Sequence, residues 1–379
     1  MRNTEKIANR IILIAASLII AVMFVLSEST RLLPLAFSRD EEYNLDYLKS
    51  EYDKKIYQKD RLIIGYGWLA NKIGVKEINN LVKSNGISYF KDKDIVDIDA
   101  KSESMRKLNE ITDGKFAFVL LPSPIMSDYE KLQPYFLTDT YNGVHKLLNI
   151  MRSNGISVYD LSKFNNDKPI TYRYLGSDHH WRPEFAFEFT EQVVNAFKDF
   201  YPETNVDPYY FDIANYNIET HKNLALGSYG KRVGPKFLKP DDFDIITPKY
   251  ETKFIVDSFF FKDKKSREGN FDNMFISRNY LEKDYMNSIT YKVYAGDILK
   301  DMHSKNLYPK IDKKILILLD SYSYPLSVFL CNIFEDVYTV DLRYDKDVLC
   351  KKIKDIQPDM VFALYSQYAM DYSELFDVR

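Results

Sequence analysis

KILILLDSYSYPLSVFL, residues 314–330, combines a continuous apolar run, a short polar turn and a second apolar stretch. The run Lys314–Leu319 predicts a strand, because strands buried on both faces of a parallel sheet are apolar at nearly every position. The second stretch predicts a helix over Tyr324–Phe334. The polar turn Asp320–Ser323 lies between them. Open α/β sheets bind ligands at this place, outside the carboxyl ends of the strands, so we expect a functional site here.

The segments on both sides repeat the alternation of strands and helices. Downstream, the pattern predicts a strand, a helix and a strand at Val337–Asp341, Lys346–Ile356 and Met360–Leu364. Upstream, it predicts the same order at Lys115–Leu121, Thr138–Met151 and Ile156–Asp160. This alternation is typical of a parallel sheet covered by helices on both faces. The predicted fold class is therefore α/β.

The remaining segments are less regular. Apolar positions at helical spacing predict helices at Val75–Val82, Ile98–Ile111 and Pro183–Phe200, while Arg61–Ile64 is predicted to be a short strand ended by glycine. Residues 201–310 combine Asn- and Asp-rich loops with alternating segments. We interpret them as an irregular, β-rich insertion in the α/β domain.

Composition and charge exclude several classes of protein. The 379 residues contain 52 Lys and Arg and 55 Asp and Glu, a net charge of -3. This balance excludes a strongly basic nucleic-acid-binding protein, so no nucleic-acid partner is expected. The two cysteines exclude a disulfide scaffold and a Cys-rich zinc module.

The N-terminal region resembles a membrane anchor. Ile11–Ser27 contains no charged residue and would extend about 25 Å as a helix, at the short end of what spans a bilayer. The basic residues Arg2, Lys6 and Arg10 precede it, which places the N-terminus in the cytoplasm by the positive-inside rule. The rest of the chain would then be extracytoplasmic, on the outer side of the cell membrane.

Two other interpretations of this run stay open. A cleaved signal peptide has the same basic and apolar regions, although Ser27-Glu28-Ser29 is a poor cleavage site. A buried core helix is the third, although the run has no polar face. We favour the uncleaved single-pass anchor, which predicts a cytoplasmic tail at 1–10, the transmembrane helix at 11–27, a stalk or docking segment at 28–60, and the main domain at 61–379 with the insertion at about 201–310.

Two motifs are suited to nucleophilic catalysis. Ser321 lies at a strand-to-helix turn, where its backbone N–H is near the positive end of a helix. A serine hydroxyl needs an adjacent base, and the SDHHW motif at 177–181 supplies histidines. Residues two apart in an extended segment point to the same side, so Asp178 and His180 would face together. Asp178 would orient His180, and His180 would accept the proton of Ser321.

Simpler interpretations of the same residues remain. A serine after a strand is often an N-cap, an Asp-x-His sequence is often a solvated loop, and adjacent histidines can be metal ligands. The distance between the Ser321 hydroxyl and His180 distinguishes these readings. A catalytic pair requires hydrogen-bond reach, and a separation beyond about 8 Å without a hinge would exclude it.

At these residues the sequence resembles a known family. SDHHW resembles the motif of the DHHW proteins of bacterial cell surfaces, which are similar to the alginate O-acetylation proteins of the AlgJ and AlgX type and belong to the wider SGNH-hydrolase-like superfamily. The resemblance extends to FSRDEEYNLDYL at 37–48, ALGSYGKRVG at 225–234, LLDSYSYPLSVFL at 318–330, VDLRY at 340–344 and FALY at 362–365. It implies an SGNH-hydrolase-like, flavodoxin-like three-layer sandwich.

The resemblance also implies an activity. Ser321 matches the nucleophile, His180 the base and Asp178 its orienting acid, in an O-acetyltransferase or acetylesterase that acts on a cell-surface polysaccharide. The implied partner is a multi-span membrane-bound O-acyltransferase that supplies the acetyl group, and no cofactor or metal is expected. Leu319 and Ser366 stand where the family usually has Gly and Asn. A non-catalytic glycan-binding or scaffold protein is therefore the alternative.

Five further residues are candidates for binding the substrate. Arg343 matches the family's arginine after the next strand, although an ion pair with Asp341 is an equal alternative. Gly227 and Ser228 match a loop at the site, although a plain turn would have the same sequence. Trp181, beside the predicted triad, is a candidate for stacking on a sugar, although most aromatic side chains fill the core. Tyr322 is a further candidate for binding the substrate.

Overall fold

The computed structural model describes residues 59–90, 95–129, 139–164, 167–261, 265–282, 285–344 and 349–378. The predicted cytoplasmic tail and anchor, and the predicted stalk up to residue 58, lie outside the described residues. No helix within the described ranges is long and apolar enough to cross a membrane. The chain divides into the units Met1–Leu69 and Ala70–Arg379, and the second unit contains every described strand.

Helices and strands alternate over most of the second unit. The helices are α1 Lys59–Lys72, α2 Ile98–Ile111, α3 Pro124–Asp128, α4 Thr140–Ser153, α5 Ile170–Arg173, α6 Pro183–Lys198, α7 Ser228–Val233, α8 Phe271–Phe275, α9 Tyr324–Cys331 and α10 Leu349–Ile356. The strands are β1 Glu77–Ile78, β2 Leu81–Ser84, β3 Ile87–Phe90, β4 Phe116–Leu120, β5 Ser157–Asp160, β6 Tyr216–Ala225, β7 Asp241–Pro248, β8 Phe254–Ser258, β9 Arg267–Gly269, β10 Asp301–Asn306, β11 Ile311–Leu319, β12 Phe334–Val340 and β13 Met360–Tyr365.

An eight-stranded sheet dominates the fold, with the strand order β5-β4-β13-β11-β12-β10-β8-β9. Strands β5, β4, β13, β11 and β12 run parallel, and β11 lies between β13 and β12. Every residue of β4 and β13 is buried, as is each residue from Ile315 to Leu319 in β11. The prediction of an α/β fold with a central parallel sheet is therefore confirmed.

Successive residues of β11 contribute to two separate buried clusters. Ile315 and Ile317 belong to one cluster together with apolar residues of α6 and α9. Leu316 and Leu318 belong to the other, together with residues of α2, α4 and α10. Because alternate side chains of a strand point to opposite faces, helices cover both faces of the parallel part of the sheet.

The segment 201–310 contributes strands to this sheet and also forms a separate pair of strands. Strands β8, β9 and β10 extend it in antiparallel pairing, and β10 pairs with β12 from Asp301↔Val340 to Lys305↔Asp336. Strands β6 and β7 form a separate antiparallel pair. The segment thus contributes five strands, three of them to the main sheet.

Two local predictions from sequence were wrong. Arg61–Ile64 is part of helix α1 rather than a strand, since a short apolar run does not distinguish the two by periodicity. Val75–Val82 contains β1 and β2 rather than a helix. Asn79 and Asn80, with φ of 51° and 62°, form the two-residue turn between these strands. Such left-handed Asn pairs are typical of hairpin turns, and this signal was overlooked.

The central position of β11 leads to a stability prediction. Ile317→Ala should lower the free energy of unfolding by about 2–5 kcal/mol, because it leaves a cavity where Ile317 is fully buried. Ile289→Ala is the matched control, since 46% of Ile289 is exposed, and it should change stability by less than about 0.5 kcal/mol. Urea denaturation of both variants measures the difference. Equal losses would contradict the placement of β11 at the centre of the core.

Candidate active site

Ser321 lies where β11 ends and α9 begins. It opens a single 3₁₀ turn, Ser321–Ser323, that leads directly into α9. The side chain of Asp320 accepts a hydrogen bond of 3.0 Å from the backbone N–H of Tyr322 and so caps this turn. The sequence Asp-Ser-Tyr therefore has a local reason: the aspartate holds the turn that presents Ser321 at the carboxyl edge of the sheet.

The SDHHW motif forms a loop that is held from outside. Tyr174 and Trp181 pair as an isolated antiparallel bridge across its ends. Within the loop, the carboxylate of Asp241 accepts hydrogen bonds of 2.9 Å from the backbone N–H groups of Gly176 and Ser177. Asp241 begins β7, so the insertion supplies the residue that fixes the motif in place.

Trp181 and Tyr322 join this loop to the nucleophile turn. The indole N–H of Trp181 donates a hydrogen bond of 2.8 Å to the backbone carbonyl of Tyr322, and the Tyr291 hydroxyl donates one of 3.0 Å to the same oxygen. Trp181 is 0% exposed and Tyr322 is 1% exposed. The sequence suggested Trp181 for sugar stacking and Tyr322 for substrate binding, but the structure buries both rings. The Trp181 indole is used to connect the two segments, and the Tyr322 hydroxyl donates a hydrogen bond of 2.6 Å to the backbone carbonyl of Pro122.

The two segments bring His180 and Ser321 together. His180 Nε2 lies 3.2 Å from Ser321 Oγ, and its ring stacks on Tyr291 at a centroid distance of 3.8 Å. His180 Nδ1 lies 3.3 Å from Asp178 Oδ1. That contact does not have the geometry of a hydrogen bond, and Nδ1 has no hydrogen-bond partner among the described residues. The distance required of a catalytic pair is met for Ser321 and His180, and Asp178 stands beside them.

The carboxylate of Asp178 is held by other donors. Its Oδ1 accepts hydrogen bonds from the backbone N–H of His179 at 2.7 Å and from the Ser228 hydroxyl at 3.1 Å. His179 Nδ1 lies 2.8 Å from the same oxygen. Asp178 is thus shared between His179, His180 and Ser228.

Burial sets the charge states of the pair. Burial and the electrostatic interaction with His179 lower the pKa of His180 to about 4, against the opposing pull of Asp178. Burial by itself would raise the pKa of Asp178, but its interactions with His180 and His179 lower that pKa well below the usual range. At neutral pH the site therefore contains a neutral imidazole beside a carboxylate, which is the state that a general base requires.

A cavity of about 220 Å³ opens over Ser321. Its lining is mostly aromatic and cationic, and it includes the predicted residues Ser228, Tyr322 and Arg343 as well as Phe90, His179, Tyr229, Arg232, Tyr368 and Tyr372. Arg232 was overlooked although it lies within the stretch 225–234, and Tyr368 and Tyr372 lack any recognisable motif. The structure thus gathers residues from six separate parts of the chain around one hydroxyl group.

Arg343 both forms an ion pair with Asp341 and lies at the cavity, the two alternatives that the sequence left open. Its guanidinium forms a bidentate pair with the fully buried carboxylate of Asp341, at 2.9 and 2.6 Å. It also lines the cavity. Burial raises the pKa of the neighbouring Asp320 to about 6, and the charge of Arg343 limits that rise.

Gly227 is packed against the acid. A Cβ atom on Gly227 would lie 2.2 Å from Cβ, Cγ and Oδ2 of Asp178, closer than any real contact. The glycine therefore permits the approach of helix α7 to the SDHHW loop, and no larger residue fits without moving Asp178.

Fold and site together define an α/β protein with a serine, a histidine and an aspartate at the carboxyl edge of its parallel sheet. No protein-family model matches the sequence, and no curated protein is similar to it at the sequence level. Solved structures share the fold. PatB1 from Bacillus cereus, determined with a sulfonyl adduct, superposes with a TM-score of 0.61 at 18% identity, over 79% of this chain and 100% of that one.

A DHHW family protein from Eubacterium siraeum superposes with a TM-score of 0.59 at 16% identity, over 80% of this chain and 96% of that one. The O-acetyltransferase domain of Pseudomonas putida AlgJ covers 77% of this chain and 90% of its own at 12% identity, with a TM-score of 0.42, which is too low to support an argument. The predicted resemblance to the DHHW proteins is confirmed at the level of the fold.

The packing of Gly227 can be tested directly. Gly227→Ala should destabilise the protein by about 1–3 kcal/mol, because the added methyl group overpacks the site, and a crystal structure should show Asp178 displaced. Gly65→Ala is the control, since open space surrounds Gly65 in α1; it should be neutral or stabilising by about 0.5–1 kcal/mol. An unchanged Asp178 position in Gly227→Ala would refute this packing.

His180 should titrate with a midpoint near pH 4 in the folded protein, measured by NMR of the histidine ring resonances. In the unfolded chain its pKa would be about 6.5, so the unfolded state binds the proton more tightly. The stability that the neutral ring contributes is therefore full above about pH 6.5 and is lost as the pH falls toward 4. A midpoint of about 6.5 or higher would show that the ring is solvated.

Proposed function

We propose that this protein is an extracytoplasmic, membrane-anchored O-acetyltransferase that modifies a cell-surface polysaccharide through a serine acyl-enzyme. The observation that carries the proposal is the 3.2 Å approach of His180 Nε2 to Ser321 Oγ beneath a cavity. Serine hydroxyls become nucleophiles when an adjacent base can accept their proton. The acetyl and polysaccharide parts of the proposal rest on the sequence resemblance.

The first half-reaction forms an acetyl-enzyme. Ser321 Oγ attacks the carbonyl carbon of an acetyl donor while its proton passes to Nε2 of the neutral His180. Asp178 stabilises the imidazolium that results. Collapse of the tetrahedral intermediate breaks the bond to the leaving group, which takes the proton back from Nε2.

The second half-reaction transfers the acetyl group. A sugar hydroxyl enters the cavity and gives its proton to His180 as it attacks the acetyl carbonyl. The bond to Ser321 Oγ breaks, and the serine recovers its proton. Water in place of the sugar would make the same site an acetylesterase.

The cavity suits a small part of a glycan. At about 220 Å³ it is smaller than the roughly 300–1,000 Å³ of pockets for drug-sized ligands. Exposed aromatic edges offer apolar surface to a sugar ring, and polar tips can meet its hydroxyls. Tyr368 and Tyr372, together with Arg232 and Arg343, are the residues that we assign to this contact.

The N-terminal helix at 11–27 would hold the domain on the outer side of the cell membrane. An acetyl donor made in the cytoplasm must then cross the bilayer, so the proposal includes a multi-span membrane-bound O-acyltransferase that delivers the acetyl group.

Hydrolysis of 4-nitrophenyl acetate tests the nucleophile. Ser321→Ala should lower kcat/KM by about 10²–10⁴-fold, the contribution expected of an assisted nucleophile. Ser327→Ala is the matched control, because this buried serine of α9 makes no hydrogen bond through its hydroxyl among the described residues. Its activity should be close to that of the wild type.

Equal activity of the two variants would refute Ser321 as the nucleophile. The alternative is a non-catalytic glycan-binding protein. It would be established if the wild-type protein binds oligosaccharide but hydrolyses no ester, and if Ser321→Ala and His180→Ala leave that binding unchanged.

A further inference from the structure

Three donor atoms of consecutive residues converge beside the nucleophile. Asp178, His179 and His180 each contribute one donor atom, and these three atoms all lie within 4.8 Å of one another. Asp178 Oδ1 lies 2.8 Å from His179 Nδ1 and 3.3 Å from His180 Nδ1. The two histidine rings lie side by side at a centroid distance of 3.8 Å. The Nδ1 atoms of both rings thus lie close to the same carboxylate oxygen.

The His180 nitrogen has a reason to accept a further partner. Nδ1 of His180 is buried and makes no hydrogen bond within the part of the chain that the structure describes. Leaving a buried polar atom without a partner costs about 1–3 kcal/mol, and such atoms in native proteins are often satisfied by a bound ion or water. Nε2 is already used by Ser321, so Nδ1 is the ring atom that remains.

The spacing of the three atoms fits a tetrahedral cation. Zinc binds imidazole nitrogens and carboxylate oxygens at about 2.0–2.2 Å, and the edge of such a tetrahedron is roughly 3.3 Å. The two edges from the carboxylate oxygen, 2.8 and 3.3 Å, are close to this value, and the third edge, between the two histidine nitrogens, lies within 4.8 Å and would shorten on binding. Two imidazoles and one carboxylate are also a ligand set that zinc uses when its fourth position is left to water.

The site can be reached from solvent. His179 keeps 27% of its side chain exposed and lines the cavity over Ser321, whereas Asp178 and His180 are each 8% exposed. The Ser228 hydroxyl lies 3.1 Å from both Asp178 Oδ1 and His179 Nδ1. It is therefore placed to bond to a water molecule in the fourth position.

We propose that Asp178, His179 and His180 bind one Zn²⁺ ion, and that the bound ion inhibits the enzyme by preventing His180 from activating Ser321. The first part is independent of the proposed function, and the second part rests on it. With the metal on Nδ1, the single remaining ring proton stays on Nε2. Nε2 then donates to Ser321 Oγ instead of accepting its proton, so the hydroxyl is no longer activated.

Calorimetric titration of ZnCl₂ into untagged Ser321→Ala protein tests the binding. This variant keeps all three ligands, and it should bind one Zn²⁺ per chain. MgCl₂ should not bind, because Mg²⁺ prefers an all-oxygen site. Adding His179→Ala to this variant should weaken Zn²⁺ binding by about 100-fold, since changes even outside the ligand shell cost 10–100-fold.

His303→Ala in the same background is the matched control. His303 lies 2.6 Å from Asp336 and 3.8 Å from Asp257, so it is another histidine beside carboxylates, distant in sequence from the motif. Its removal should leave the Zn²⁺ affinity unchanged. The proposed site would be overturned if no Zn²⁺ binds, or if binding is lost in His303→Ala and kept in His179→Ala.

Hydrolysis of 4-nitrophenyl acetate by the wild-type protein tests the second part. Zn²⁺ should inhibit over the concentration range in which it binds, and EDTA should restore the rate. Binding with no effect on the rate, or with activation, would overturn the proposed inhibition. A wild-type protein without esterase activity would refute the proposed function alone, because calorimetry decides the metal site by itself.

Discussion

The hydrogen bond from the indole of Trp181 to the backbone carbonyl of Tyr322 joins two segments that are 141 residues apart in the sequence. One segment carries the histidine and the aspartate, and the other carries the serine. The bond is fully buried, so breaking it would leave polar atoms without partners in a medium that cannot solvate them. The position of His180 over Ser321 depends on this connection, and so does any chemistry at the cavity.

Different parts of the fold hold these two segments in place. Strand β11 ends at Leu319, two residues before Ser321. The parallel sheet buries this end of the strand on both faces, which fixes where the chain leaves the sheet. The SDHHW loop has no such strand behind it. It is held instead by Asp241 of the insertion and by the close approach of Gly227. The segment between the histidine and the serine thus helps to build the site. Burial in this packing lowers the pKa of His180.

Much of this arrangement could be predicted from local sequence signals. The apolar run Lys314–Leu319 indicates a central strand wherever it occurs, and the order of SDHHW and Asp-Ser-Tyr suggested the meeting of Asp178, His180 and Ser321. Predictions were wrong where a local pattern is ambiguous, as at Arg61–Ile64, or where a turn signal was overlooked, as at Val75–Val82. Asp241 and Tyr291 could not be predicted, because only the folded chain brings them to the site. The burial of Trp181 could not be predicted for the same reason, because its indole bonds to the backbone carbonyl of Tyr322, 141 residues further along the chain.

The proposed chemistry requires that His180 activates Ser321, and covalent labelling measures this activation most directly. The wild-type protein should react with phenylmethylsulfonyl fluoride, and peptide mass spectrometry should locate the adduct on Ser321. In His180→Ala the labelling rate should fall by about 100-fold or more, because the base that accepts the proton is removed. No adduct, an adduct on another residue, or an equal rate in His180→Ala would contradict the account.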